Sequence, residues 1–188
     1  MKATARLLLL RFANVGASIF VAALAGCGDD PPTKPAAPAS FLPASTPQNV
    51  LGNLALAYTR RDSLAYDSLF DAAYVGTSVD QSDPSPVVYT FNKADESLHI
   101  RALARRSTIV SVNIQFPPNL SRFYDFADTL GWATVQTSGT TLQIDDGAFY
   151  YAVGSNETME FKFKPMTPSP GSPTDTTWHI VRWTEIAQ

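Results

Sequence analysis

Hydrophobic residues recur along this chain at two different periods, and the change of period divides it. Val50, Leu51, Leu54, Ala57 and Tyr58 fall at helical spacing and line one face of a helix predicted over 47–60. Thr46 supplies a hydroxyl to cap its free amides, and Pro47 takes the first helical position, where no donor is lost. Asp62 offers a second cap, and Leu64, Ala65, Leu69 and Phe70 continue as a short second helix with Arg60, Arg61, Ser63 and Asp67 outward. Tyr74 to Val79 reads as a strand. The Asp83-Pro84-Ser85-Pro86 cluster interrupts it, because proline removes ladder donors, and Val87 to Phe91 is a further short strand. Asn92 caps a third helix over 93–105, with Asp95 and Glu96 where the helix dipole favours anions and Arg101, Arg105 and Arg106 where it favours cations.

Beyond residue 107 the period drops to two. Thr108, Val110, Val112, Ile114 and Phe116 alternate with Ser111, Asn113 and Gln115, the pattern of a strand with one buried face, and Pro117-Pro118 stops it. Longer strands are predicted over 132–144, 148–163 and 177–186, separated by Asp145-Asp146-Gly147 and a proline-rich loop over 165–175. Gly139 and Gly154 inside these patterns mark a bulge or bend. In the last strand strict alternation puts His179, Val181 and Trp183 on one face and Trp178, Ile180 and Arg182 on the other. Helices first and antiparallel strands afterwards predict an α+β fold, with helices packed on one face of a curved sheet.

The beginning of the chain follows neither period. Lys2, Arg6 and Arg11 precede an apolar run from Phe12 to Leu24, and small residues lead to Cys27, the only cysteine. This is the layout of a signal peptide. Leu24-Ala25-Gly26-Cys27 resembles the lipobox of bacterial lipoproteins, which implies cleavage before Cys27 and acylation of that residue. The apolar run is short of the roughly 20 residues a spanning helix needs, whereas several acyl chains anchor stably. Residues 28–45 carry Pro31, Pro32, Pro35, Pro38 and Pro43 with no apolar period and read as an extended tether. The expected organisation is a signal peptide over 1–26, a lipidated cysteine and tether over 27–45, and one domain over 46–188. The expected location is the bacterial cell envelope. Gly28 after the cysteine, by resemblance to the sorting rule of Gram-negative lipoproteins, implies the periplasmic side of the outer membrane in a diderm host.

Charge and composition narrow the partners. Removing residues 1–26 leaves eleven basic and seventeen acidic residues, a net charge of −6. With no basic run, neither nucleic acid nor a polybasic contact with anionic lipid is expected. Once Cys27 is acylated no thiol remains for a disulfide, a metal or a nucleophile. The two histidines lack zinc-ligand spacing, and no glycine-rich phosphate loop or nucleophile elbow is present, so no metal or cofactor is expected.

The stretch Val50-Leu51, Leu54, Ala57-Tyr58, then Arg61-Asp62, then Tyr66, Leu69-Phe70-Asp71 and Tyr74 resembles the opening of the NTF2-like superfamily, which includes SnoaL-like and ketosteroid-isomerase-like proteins. Trp178 to Trp183 is similar to the last strand of such domains. The resemblance implies a bent sheet wrapped by helices into a cone, often with a pocket at the wide end, and frequent dimerisation through the sheet. Within the superfamily the chain looks most like lipoproteins carrying an NTF2-like domain.

Ketosteroid isomerases use a carboxylate base and acidic oxyanion donors. An ungapped alignment on Arg61-Asp62 and Leu69-Phe70 puts Leu54 at the donor tyrosine and Ser78 at the base, and neither can do the chemistry. Asp80, two residues on, is the nearest substitute base. Asp95 and His99 share a helical face and offer an acid–base dyad, and His179 lies among aromatics on the last strand. Trp132, Tyr151 and Trp178 are candidates to line an apolar cavity. The leading expectation is a non-catalytic binding or assembly module with a protein partner. The alternatives are a carrier of a small apolar ligand, and an isomerase or dehydratase using Asp95 and His99.

Overall fold

The computed structural model describes residues 39–80, 86–129, 131–153, 158–166 and 176–186, without the side chains of Asp80, Tyr151, Ala152, Val153 and Ile186. Cys27, Gly154 and most of the 165–175 loop lie outside the described residues. Helix α1 (Pro47–Arg60) starts where Thr46 Oγ1 accepts the Asn49 amide at 3.1 Å. It stops at Arg61, whose φ of 54° turns the chain back. Asp62 then caps α2 (Ser63–Ser68) through the Ala65 amide. This helix is shorter than predicted. Leu69 closes it and Phe70 opens strand β1 (Phe70–Asp80), because the Ile180 amide donates to the Leu69 carbonyl at 2.8 Å and draws the chain into the sheet. Leu64, expected with the apolar set, is exposed.

Strand β2 (Val87–Asn92) returns beside β1, and the Asn92 side chain caps α3 (Lys93–Arg105). Strands β3 (Ser111–Gln115), β4 (Ser121–Phe123), β5 (Ala133–Ser138), β6 (Thr141–Asp145), β7 (Tyr150–Val153), β8 (Thr158–Met166) and β9 (Thr177–Ile186) follow. They build a six-stranded sheet in the order β2-β1-β9-β8-β5-β4 and a three-stranded sheet β3-β6-β7. Only β1 and β9 pair in parallel among the described strands. The three-residue edge strand β4 carried no period to predict it.

Two of the long predicted strands each break in two. Gly139, at φ +87°, separates β5 in the large sheet from β6 in the small one, and β7 and β8 divide likewise. The predicted bend at Gly139 is therefore a corner at which one hairpin passes between two sheets, which curves the whole.

The last strand departs from strict alternation. Lys162 pairs with Arg182 and Phe163 with Ile180, so Val181 is an extra residue, a β-bulge. The bulge reverses the faces, and Trp178, Ile180 and Trp183 all reach the core. There they meet Phe161, Phe163, Val135, Phe70 and Tyr74 from the sheet and Val50, Leu51, Leu54, Ala57, Ile100 and Leu103 from the helices. Residues 39–44 run back along α1. Leu42 and the buried Asn53 exchange hydrogen bonds at 2.8 and 2.7 Å, and the Trp178 amide donates to the Ala44 carbonyl at 2.8 Å. Packing thus begins ahead of Thr46. No helix of the described residues is long and apolar enough to cross a membrane.

Candidate functional site

The buried face of α3 carries one carboxylate. Glu96 lies four residues before Ile100 and seven before Leu103, so all three share the stripe turned toward the core. Its Oε2 accepts the Tyr66 hydroxyl at 3.0 Å and its Oε1 the Tyr74 hydroxyl at 3.2 Å. Both phenols are buried, and their rings join a chain of aromatic contacts from Tyr58 through Tyr66 and Phe70 to Tyr74. Burial pushes Tyr66 well above the ordinary phenol value, with Tyr58 and Glu96 adding to it, and burial followed by Glu96 does the same to Tyr74. Both stay protonated and committed as donors.

Asp95 and His99, the predicted dyad, have different partners. Asp95 is exposed, and its Oδ2 accepts the Asn92 amide at 2.9 Å to complete a capping box. His99 Nε2 is hydrogen-bonded to the Tyr58 hydroxyl at 2.9 Å. The carboxylate that the sequence reading passed over, Glu96, is the one that faces inward. Its signal was available in the spacing to Ile100 and Leu103. Leu54 is fully buried in the core, and Ser78 sits on β1 opposite Tyr89. The Asp80 backbone pairs with Val87, while its side chain lies outside the described residues.

The three candidate cavity aromatics do not converge. Trp178 is in the core, covered by the Arg122 guanidinium at 4.8 Å from its ring. Trp132 instead lines a groove of about 410 Å³ with Ala127, Asp128, Thr129, Lys162, Arg182 and Thr184. Lys162, Arg182 and Thr184 alternate with the core residues Phe161 and Trp183, which puts the groove on the sheet's outer face. The Tyr151 side chain lies outside the described residues. Lys162 contacts Asp128 at 2.8 Å, Asp125 at 3.2 Å and Glu160 at 3.8 Å. Burial opposes its charge, but Asp128 and Asp125 outweigh that and raise its pKa. Arg182 donates to the Val181 and Ala73 carbonyls and lies 5.7 Å from the Trp132 ring centre.

His179 lies beside Asp71, Lys93 and Lys164. Burial lowers its pKa from 6.5, with Lys93 and Lys164 acting the same way, and Asp71 opposes the shift without reversing it. Burial would raise the Asp71 carboxyl, yet the Ala73 amide at 2.8 Å and the Lys164 ammonium at 3.1 Å hold it below 3.8. Among the described residues no three His, Cys, Asp or Glu side chains gather closely enough to hold a metal ion.

In sequence the chain matches no family model and no curated relative. Its architecture matches solved structures. A protein assigned as a scytalone dehydratase from Novosphingobium aromaticivorans superposes over 75% of this chain and 80% of its own, with TM-score 0.50 and 8% identity. The fold is NTF2-like. Naphthalene 1,2-dioxygenase superposes over 75% of this chain and 76% of its own, with TM-score 0.53 and 9% identity. A protein of the NTF2-like family from Streptomyces avermitilis, assigned as a dehydratase, covers 72% of this chain and 88% of its own, with TM-score 0.46 and 14% identity. At such identities the likeness speaks for the fold alone, and the NTF2-like fold serves enzymes and binding proteins alike.

Proposed function

We propose that this chain is an envelope lipoprotein, anchored through Cys27, whose NTF2-like domain is a non-catalytic binding or assembly module. The observation that carries the non-catalytic part is the inward carboxylate. Each Glu96 oxygen already accepts a buried phenol, and phenols held above their ordinary pKa do not release protons to a substrate. The positions of the isomerase base and donor hold Ser78 and Leu54, which adds support. The anchoring part rests on the lipobox-like Leu24-Ala25-Gly26-Cys27 behind its apolar run.

The test has two arms. Cys27→Ser is expected to move the protein out of the membrane fraction, and a variant still firmly in that fraction removes the anchor. In a complementation assay His99→Ala is expected to keep the phenotype. Loss of the phenotype with native circular dichroism favours the isomerase or dehydratase alternative.

A second reading, a small-ligand carrier, draws on the outer groove, whose volume of about 410 Å³ reaches that of small-molecule sites. Its lysine, arginine and threonine lining fits a polar ligand rather than the apolar one expected from sequence. Quenching of tryptophan fluorescence that Trp132→Phe abolishes is its test.

A further inference from the structure

The described residues begin at one particular end of the domain. Ala39, the first described residue, offers its carbonyl to Arg60 Nη2, and the Arg60 guanidinium lies 5.4 Å from the Phe41 ring centre. Beside it Arg61 Nη1 donates to the Ile109 carbonyl at 3.2 Å, which brings the end of α1 against the turn after α3. The Val110 amide donates to the Asp145 carbonyl at 2.7 Å, and Arg106 pairs with Asp146 at 2.9 Å, which adds the tip of the β6–β7 hairpin.

Two properties of this end bear on what it meets. Two arginine pairs distant in sequence, Arg60-Arg61 and Arg105-Arg106, collect here. They face three carboxylates: Asp62 caps α2, Asp145 accepts the Gly147 amide, and Asp146 is closed in its pair with Arg106. The local balance is basic on a chain that is acidic overall. The fold assembles this patch from separate segments, so no basic run in the sequence marks it. Large apolar side chains also stand toward solvent here: Val110 is 67% exposed, Phe149 56% and Tyr150 61%.

We propose that this end is a membrane-docking face, seated on the phosphate headgroups of the bilayer that holds the Cys27 acyl chains. The inference rests on the lipoprotein reading above and adds an orientation to it. The tether joins the domain at this end, and the residues from Cys27 to Ala39 span at most about 43 Å fully extended, so of the whole domain this end is held on the shortest leash to the bilayer. Arginine forks match phosphate oxygens, and exposed aromatic and aliphatic side chains settle at the boundary of headgroups and acyl chains. A tethered face meets the surface at high effective concentration, so modest contacts suffice.

The test uses the full lipoprotein, reconstituted in vesicles of an equimolar mixture of phosphatidylethanolamine and phosphatidylglycerol. Acylation blocks Cys27, the only cysteine, so Phe149→Cys and Phe126→Cys each take a single spin label. Phe126 is exposed on the loop beside the outer groove, at the other end of the long bent hairpin. The label at position 149 is expected to be accessible to membrane-dissolved oxygen and shielded from an aqueous nickel chelate, with the reverse at position 126. Adding Arg60→Glu and Arg105→Glu is expected to return position 149 toward water without changing acylation. If mass spectrometry finds Cys27 acylated while both labels are equally water-exposed, the docking face is overturned alone. If Cys27 is not acylated, the lipoprotein reading falls and the docking face with it.

Discussion

The Glu96 carboxylate accepts the hydroxyl of Tyr66 at 3.0 Å, and this contact ties α3 to α2 over a residue that is fully buried. With Tyr74 on the other oxygen, the same side chain also ties α3 to β1. Glu96→Ala would leave two buried hydroxyls without their acceptor, at about 1 to 3 kcal/mol each. Glu96→Gln keeps one carbonyl acceptor and is expected to cost less. Urea unfolding should rank wild type above Gln above Ala, and equal midpoints for all three would mean that the helix is held by its apolar contacts alone.

Much of the architecture was legible because its signals are local. The caps at Thr46, Asp62 and Asn92 and the bend at Gly139 are written within a few residues, and each is found in place. The bulge at Val181 was hidden, since it arises from pairing with Phe163 and Lys162 on another strand. That single extra residue moved Trp183 to the same core as Trp178. On α3 the spacing put Asp95 and His99 on one face as a candidate dyad, but that face is the exposed one and Glu96 holds the buried one. The separation of Trp132 from Trp178 depended on which face of the sheet the 124–132 loop covers, which no local pattern encodes.

Tyr74 folds its ring over Gly76, two residues along the same strand, so that a Cβ at position 76 would overlap the phenol oxygen. The backbone there is not left-handed, so the requirement for glycine is one of space. The phenol cannot swing aside cheaply, because Glu96 holds it. Gly76→Ala is expected to cost about 1 to 3 kcal/mol, the range for overpacking. Tyr74→Phe removes the overlapping oxygen, so the two substitutions should couple in a double-mutant cycle. Strict additivity would show that the two residues do not press on each other.

Two groups at the β1–β9 junction make stability pH-dependent in separate windows. The pKa of His179 is lowered from 6.5, so the unfolded chain binds the proton first, and stability present above that value is lost as pH falls through it. Asp71 is lowered from 3.8, so its contribution is present above that value and is lost on further acidification. Burial sets the sign of the first window, and Lys93 and Lys164 act in the same direction. His179→Gln should flatten the loss of stability between about pH 7 and pH 5 and leave the lower window intact. Asp71→Asn should do the converse. Identical pH profiles for His179→Gln and wild type would remove His179 as the source of the first.

Trp183 packs against Phe161 at 5.0 Å between ring centres, and its Nε1 is buried without a hydrogen-bond partner among the described residues. The ring and the N–H therefore act in opposite directions. Trp183→Ala empties the centre of the core and is expected to cost about 3 to 5 kcal/mol. Trp183→Phe keeps an aromatic face toward Phe161 and deletes a donor whose desolvation costs about 1 to 3 kcal/mol, which offsets much of the smaller ring's lost packing. The phenylalanine variant is thus expected to melt close to wild type and the alanine variant far below it. If phenylalanine is as damaging as alanine, the indole N–H has a partner, such as a buried water, and the stabilisation assigned to the ring belongs largely to that hydrogen bond.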